Sequence, residues 1–322
     1  MSEPSIGDSP GTDTSAAIIS RVEALVEVTH QLLALEDRDA LQEVLNREHP
    51  ADLADLMSRL DDETRPQMFD LLSGPAAADV LAESDTVTMQ AIAADVDNEA
   101  LSDIVVEMDP DDAADLLSDL PDEEAVEVLG HLDSEEAEEV LGLMAHEEDT
   151  GGGIMTPDFI VAHDAASVSE VVDTMRREAE DADIFDIYVV DPENRLVGIL
   201  PVNRLVTARP QAPVSGLMKR EFHSVVVETD QEDIAQLFTR YDQLALPVVD
   251  SDGRLVGQIT IDDVIDVIHE EATEDIYKMA GTSSDQEIES PSILGVARAR
   301  LPWLLICLAG SFSPEWSSTC ST

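Results

Sequence analysis

The chain has 322 residues, of which 71 are Asp or Glu against 17 Lys or Arg, giving a formal net charge of -54. A polyanion of this density excludes general binding to nucleic-acid backbone or anionic lipid through a basic patch, and 43% hydrophobic residues exclude wholesale disorder. The length allows two or three domains with cores of their own.

Two readings of the acidity stand: a functional polyanion that captures cations, or a solvent adaptation in which carboxylates and few lysines keep a protein soluble in molar salt. Acid is spread over every segment, and only Lys219 and Lys278 are lysines, which favours the second for most of the charge. The two cysteines, Cys307 and Cys320, both lie in the closing segment, so no disulfide framework or Cys-based metal site is expected and a reducing cytoplasmic location fits.

Residues 1–17, "MSEPSIGDSPGTDTSAA", lack the basic region and apolar run of a secretory signal and read as a disordered leader. From 18 to 149 the apolar residues recur at three- and four-residue spacing, punctuated by Pro, Asp and Gly, which predicts an all-α region. "HPADLADLMSRL" (49–60), "DPDDAADLLSDL" (109–120), "LPDEEAVEVLGHL" (120–132) and "LDSEEAEEVLGLM" (132–144) are imperfect copies of one unit. Each opens on Pro or an Asp/Ser cap, puts acids in the first turn where the helix dipole favours them, then runs Ala, Val and Leu. Helices of about ten residues cannot each bury a stripe alone, so they are expected to stack into a superhelix, an architecture that serves as a binding or lever surface.

At "EEDTGGGIMTPDFI" the period changes, and the three glycines read as a flexible joint near residue 150. Two copies of a second unit follow: "IYVVDPENRLVGILPVNRLV" (187–206) and "LPVVDSDGRLVGQITIDDVI" (246–265) match at an offset of 59 residues. Each reads as strand, polar turn, strand and helix start, preceded by a helix, so a tandem of β-α-β-β-α units is predicted. The fold class expected is multidomain, α followed by α/β.

"GIMTP" followed by "VVD...GRLVGIL" and "PVVD...GRLVGQITIDDV" resembles a tandem of cystathionine-β-synthase (CBS) domains, a Bateman module. With the acidic helical repeats before it and "IHEEATEDIYKMAG" and "ARARLPWLLICLAG" after it, the chain resembles the cytosolic part of an MgtE-type magnesium transporter or channel. The resemblance runs from about residue 20 to 310. It implies a helical superhelix (18–149), CBS domain 1 (150–210), CBS domain 2 (211–269), a connecting plug helix (270–300) and the start of a first transmembrane helix (301–310). Arg298 and Arg300 would stand on the cytoplasmic side and Trp303 at the interface. Only about eight apolar residues follow, where a span needs around twenty. The chain is therefore expected to hold no pore, and the tail 311–322, which resembles nothing in the family, is read as the product of a frameshift, a gene disruption or an engineered boundary.

In that family, facing carboxylates bridged by Mg²⁺ lock a closed pore when cytosolic Mg²⁺ is high, and the transporter is a homodimer. The resemblance places this role on Asp79, Asp111 and Asp115 of the superhelix, on Asp230, Glu232 and Asp242 of the second CBS unit, and on Asp263, Asp266, Glu271, Glu274 and Asp275 along its last helix and the plug. Mg²⁺ wants oxygen ligands in octahedral geometry and keeps several waters, which one or two carboxylates from each of two surfaces satisfy. Spacings of three and four put Asp111 with Asp115, Asp263 with Asp266, and Glu271 with Glu274 and Asp275 on shared helix faces. In so acidic a chain, chance supplies such pairs too, as in "DSEEAEEV".

Two carboxylates about 5 Å apart repel by ~3 kcal/mol at an effective dielectric of 20, but the Debye length near 1 M salt is about 3 Å, so in concentrated salt the switch would rest on direct ligation. CBS pairs also hold adenosine ribose on an Asp at the start of each unit's last helix. Here "TIDD" supplies Asp263, while the equivalent "PVNR" supplies Arg204, so one site for ATP or AMP is expected to be intact and the other damaged. His146 and His269 show no metal-ligand spacing. No nucleophile elbow, phosphate-binding loop or dinucleotide fingerprint is present, so catalysis is not expected. The alternative function is a stand-alone CBS regulator that binds adenine nucleotide and docks a protein partner through the acidic repeats.

Overall fold

A computed structural model describes residues 14–35, 37–178 and 184–280. The expected plug residues beyond 280, the start of a membrane helix at 301–310 and the tail 311–322 lie outside the described residues. The chain divides into two compact units, residues 1–148 and 149–322.

In the first unit the described residues form ten helices: α1 (Thr14–Ala34), α2 (Arg38–Leu45), α3 (Pro50–Arg59), α4 (Thr64–Phe69), α5 (Gly74–Ala82), α6 (Thr86–Ala93), α7 (Asn98–Val105), α8 (Pro110–Asp119), α9 (Asp122–Leu129) and α10 (Ser134–Leu143). The first begins at Thr14, inside the stretch read as leader, because Ala16 and Ala17 join the periodic run after them without a breaker. Caps delimit the short helices. Asp37, Asp85 and Asp97 accept hydrogen bonds from the N–H groups of Ala40, Thr88 and Ala100 at 3.0–3.1 Å. Asp133 and Glu136 exchange reciprocal bonds as a capping box.

The unit repeats by pairs of helices. α3, α5, α7 and α9 start at residues 50, 74, 98 and 122, an interval of 24, so the single-helix repeat seen in sequence is half of the structural period. Each of α3, α5 and α7 packs on the next of that series, and α4, α6, α8 and α10 do the same in theirs. The apolar positions at spacings of three and four feed this stack. Leu53, Leu56 and Met57 of α3, Val80 and Leu81 of α5, and Leu116 and Leu117 of α8 are all buried. Each such side chain contributes about 1.5–3 kcal/mol on burial. Arg65, one of the few cations, is spent on the carboxyl end of α3: its guanidinium donates to the carbonyls of Met57 at 3.1 Å and Leu60 at 2.9 Å. That placement matches positive charge to the negative end of the helix dipole.

The second unit holds β1 (Val161–His163), α11 (Val168–Glu178), β2 (Asp186–Val190), β3 (Leu196–Pro201), α12 (Val202–Thr207), β4 (Val225–Val226), α13 (Gln231–Tyr241), β5 (Ala245–Val249), β6 (Leu255–Thr260) and α14 (Ile261–Ala280). They form two three-stranded sheets, β1-β2-β3 and β4-β5-β6, each with one parallel and one antiparallel pair. The expected β-α-β-β-α pattern is present twice. Near-identical turns close the hairpins. Asp191 Oδ1 accepts from the N–H groups of Glu193 and Arg195, and Asp250 Oδ1 from those of Asp252 and Arg254. Asn194 (φ 62°) and Gly253 (φ 79°) take the left-handed turn position that both residue types tolerate.

The segments that lead into each repeat are exchanged. Thr156, ahead of the first repeat, pairs with Gln258 in β6 of the second through bonds of 2.8 and 3.0 Å; Lys219, ahead of the second, pairs with Ile199 in β3 of the first at 2.7 and 3.0 Å. Glycines make room for the two straps. A Cβ on Gly257 would stand 2.6 Å from Met155 Sδ, and one on Gly198 would stand 2.7 Å from Met218 Sδ and 2.9 Å from the Lys219 carbonyl. The three-glycine run is therefore not a free joint. Gly151 and Gly152 donate their N–H groups to Thr229 and Val227 at 2.7 and 2.8 Å, and a Cβ on Gly151 would meet the Val226 carbonyl at 3.1 Å.

A buried polar pair ties the two sheets together. Tyr188 of β2, 0% exposed, donates its hydroxyl to Gln258 Oε1 at 3.0 Å, and Gln258 Nε2 donates to the Asp158 carbonyl at 2.7 Å. Burial pushes the Tyr188 phenol pKa up, so it stays a donor. The equivalent ladder positions in the other sheet pairing are Ile199, opposite Tyr188, and Pro247, opposite Gln258, so the network exists once and breaks the internal symmetry.

Candidate functional site

The expected carboxylates of the second unit fall on α13 and α14, and several have local structural work. Asp230 is the N-cap of α13, accepting from the Glu232 N–H at 2.9 Å, and Glu232 lies exposed in the first turn. Asp242 ends the same helix in the left-handed conformation, its N–H bonded to the Phe238 carbonyl. An eleven-residue helix separates them by about 16 Å, so Asp242 cannot share a cation with the Asp230–Glu232 turn of its own helix.

α14 begins with the Asp263 carboxylate folded back on Thr260. Thr260 donates its N–H at 3.3 Å and its hydroxyl at 2.5 Å to Asp263 Oδ2. Val264 and Val267 are buried on one face of the helix, which packs on α13, and Asp266 lies exposed on the other, one turn beyond Asp263. Desolvation pushes the Asp266 carboxyl above the ordinary range; His269 opposes that shift and Asp262 adds to it. Glu271 is half-buried and receives the side-chain amide of Gln231 at 3.0 Å, which brings it beside the Asp230–Glu232 turn. The side chains of Glu274 and Asp275 lie outside the described residues.

In the first unit Asp79 is exposed on α5, and Asp111 and Asp115 occupy successive turns of α8, half-buried and exposed. α5 and α8 each pack on α6. Among the described residues no three His, Cys, Asp or Glu converge on one point, so each unit offers pairs of carboxylates and not a closed cage. Such pairs suit a hard dication that keeps its waters. Gln231 has no signature in the sequence, where an amide among acids looks like one more polar residue on a helix.

Arg204 stands where the tandem offset would place a second Asp263, and its guanidinium donates to the Leu217 carbonyl at 2.9 Å. The first repeat thus puts a cation where the second puts a carboxylate. No helix among the described residues is long and apolar enough to cross a membrane.

A stack of helical hairpins followed by two exchanged β-α-β-β-α units defines a tandem-CBS protein with a helical repeat domain ahead of it. Residues 48–149 match the family described as the MgtE intracellular N domain, and residues 151–210 and 214–270 match the CBS domain. The magnesium transporter MgtE of Thermus thermophilus is 43% identical over 167 residues, 51% of this chain and 37% of that protein. The Enterococcus faecalis magnesium transporter MgtE is 38% identical over 164 residues, 51% of this chain and 36% of its own length. A crystal structure of the cytosolic domain of the Mg²⁺ channel MgtE in complex with ATP is 37% identical with a TM-score of 0.71, covering 75% of this chain and 99% of that one. The soluble part of a magnesium transporter is 31% identical with a TM-score of 0.69, covering 78% and 99%. The chain belongs to the MgtE family, with the helical N domain and CBS pair of its cytosolic part, and its match spans little more than a third of those curated relatives.

Proposed function

We propose that this chain is the cytosolic Mg²⁺-sensing and gating portion of an MgtE-type magnesium transporter, set on the cytoplasmic face of the membrane and closing the pore of the parent transporter when intracellular Mg²⁺ is high. The observation that carries the proposal is the match, over 99% of its length, to a solved cytosolic domain of a Mg²⁺ channel. The chemistry of the donors agrees: Asp263, Asp266, Glu271, Glu274 and Asp275 follow one another along α14, and Asp79, Asp111 and Asp115 supply carboxylates in the helical unit. The role is regulatory and not catalytic. The apolar Ile265 and Ile268 exposed on α14 support a homodimer built through residues 154–268.

Calorimetric Mg²⁺ titration at fixed high KCl tests the sensor. Asp263→Asn with Asp266→Asn removes the anionic ligands a hard cation needs and should abolish the binding heat. Glu123→Gln with Glu138→Gln removes the same charge from exposed positions on α9 and α10 and should leave it. Equal loss in both pairs would reduce the sensor to a diffuse polyanion.

A second reading adds adenine nucleotide, ATP or AMP, as a modulator of the same module. It rests on Asp263 at the N-terminus of α14 and on the solved relative in complex with ATP. Nucleotide binding without any Mg²⁺ response would turn the assignment toward a stand-alone CBS regulator.

A further inference from the structure

We propose that Gln231 is a positioning residue: it holds Glu271, and with it the middle of α14, against the point where the chain enters the CBS pair. The inference rests on the gating role given above and names a residue through which that role is exerted.

Gln231 is 7% exposed although it is the first residue of α13, a position where polar side chains usually face water. Its two donors go in two directions. The backbone N–H bonds the Asp149 carbonyl at 3.0 Å, and the side-chain Nε2 bonds Glu271 Oε1 at 3.0 Å, forty residues along the chain. The first bond belongs to a short ladder. Thr150 pairs with Asp230, Gly151 donates to Thr229 and Gly152 to Val227, so residues 149–152 are fixed to residues 227–231. The second bond reaches the helix that runs on to Ala280. One buried residue thus connects the entry of the chain into this unit, through its backbone, with the last helix, through its side chain.

The residue type is what the task requires. Asp230, Glu232 and Asp233 surround the position, and a fourth acid there would repel Glu271, whereas a neutral amide donates to it. A bond to an ionised carboxylate is stronger than one between neutral groups, and partial burial shields it from salt. Movement of residues 149–152 therefore pulls on α13 and, through Gln231, on Glu271.

Hydrogen exchange on the full chain at fixed KCl tests this, first without Mg²⁺. Gln231→Leu keeps the volume but loses the donor, and amides 268–275 should exchange about tenfold faster, the lower end of what a charge-assisted bond contributes. Glu271→Gln keeps an acceptor oxygen and should retain most of the protection. Glu271→Leu should reproduce Gln231→Leu, and the double variant should add little to either. Unchanged exchange at 268–275 in Gln231→Leu would overturn the proposal. If that variant loses protection throughout the unit, Glu271→Leu decides the matter from the other end of the bond: faster exchange confined to 268–275 supports the proposal, and unchanged exchange overturns it. With Mg²⁺ added, Gln231→Leu should shift the midpoint of the response upward several-fold, which a purely structural contact would not do. A wild-type chain without any Mg²⁺ response would remove the sensing role, while the Mg²⁺-free arm still decides whether Gln231 holds Glu271.

Discussion

Replacing Tyr188 by Phe removes a single oxygen from the centre of the CBS pair. Gln258 Oε1 then loses the donor at 3.0 Å, and at 7% exposure it has little access to water. The cost of orphaning a buried acceptor is about 1–3 kcal/mol, and the small gain from no longer burying a phenol hydroxyl brings the expected loss to ~1.5 kcal/mol. For a unit of this size that is a fall of about 5 °C in its melting temperature, read by calorimetry or near-ultraviolet circular dichroism. Gln258→Leu should cost more, because it strands both the Tyr188 hydroxyl and the Asp158 carbonyl. A melting temperature for Tyr188→Phe within about 1 °C of wild type, or a milder effect from Gln258→Leu, would refute the idea that this network carries stability.

Asp119, solvent-exposed at the end of α8, has its carboxyl pKa raised first by partial desolvation and then by Glu148, while the Gln90 side chain lowers it, a shift that solvent screening keeps small. Its folded pKa lies above the unfolded value, so ionisation destabilises the fold at neutral pH and the penalty fades as pH falls through the folded pKa toward 3.8. Asp119→Asn should therefore stabilise the helical unit slightly at neutral pH and make no difference below pH 3.8 in urea titrations; stabilisation at both pH values would contradict a penalty due to partial desolvation of the charge. Asp263→Ala, which removes the acceptor of both Thr260 bonds, should cost ~1 kcal/mol, whereas Asp263→Asn keeps an acceptor for Thr260 and should cost less. Loss of nucleotide or Mg²⁺ binding in the Asn variant at near-normal stability would then report on ligand contact and not on folding.

The sequence carried the fold class openly because its signals are local. Caps such as Asp85 and Asp97, the three- and four-residue spacing of Leu53, Leu56 and Met57, and the matched turns at Asp191 and Asp250 are each written within a few residues. The 24-residue period stayed hidden because neighbouring helices share one pattern, and α4, with Pro66 inside it and only six residues, shows little of that pattern. The exchange of the two straps was not legible either. Three glycines look like slack in a sequence, and only the approach of Val226 and Ile234 to Gly151 reveals that they are there to let backbones meet. Among the site residues, helix faces were readable from spacing, but Asp230, Asp242 and Asp263 proved also to serve as helix ends, a role that acidic spacing does not announce.

The exchanged straps have a consequence for how this protein can be cut. Neither CBS repeat owns all of its contacts, because Thr156 completes the sheet edge at Gln258 and Lys219 completes the edge at Ile199. A break between Thr207 and Pro213 gives two pieces, each carrying the other's missing edge. Expressed alone, either half would present an open edge to whatever strand it met, and expressed together they would find each other before anything else. The pair is thus the smallest self-contained part of this region, and a deletion that takes one repeat disables the one left behind.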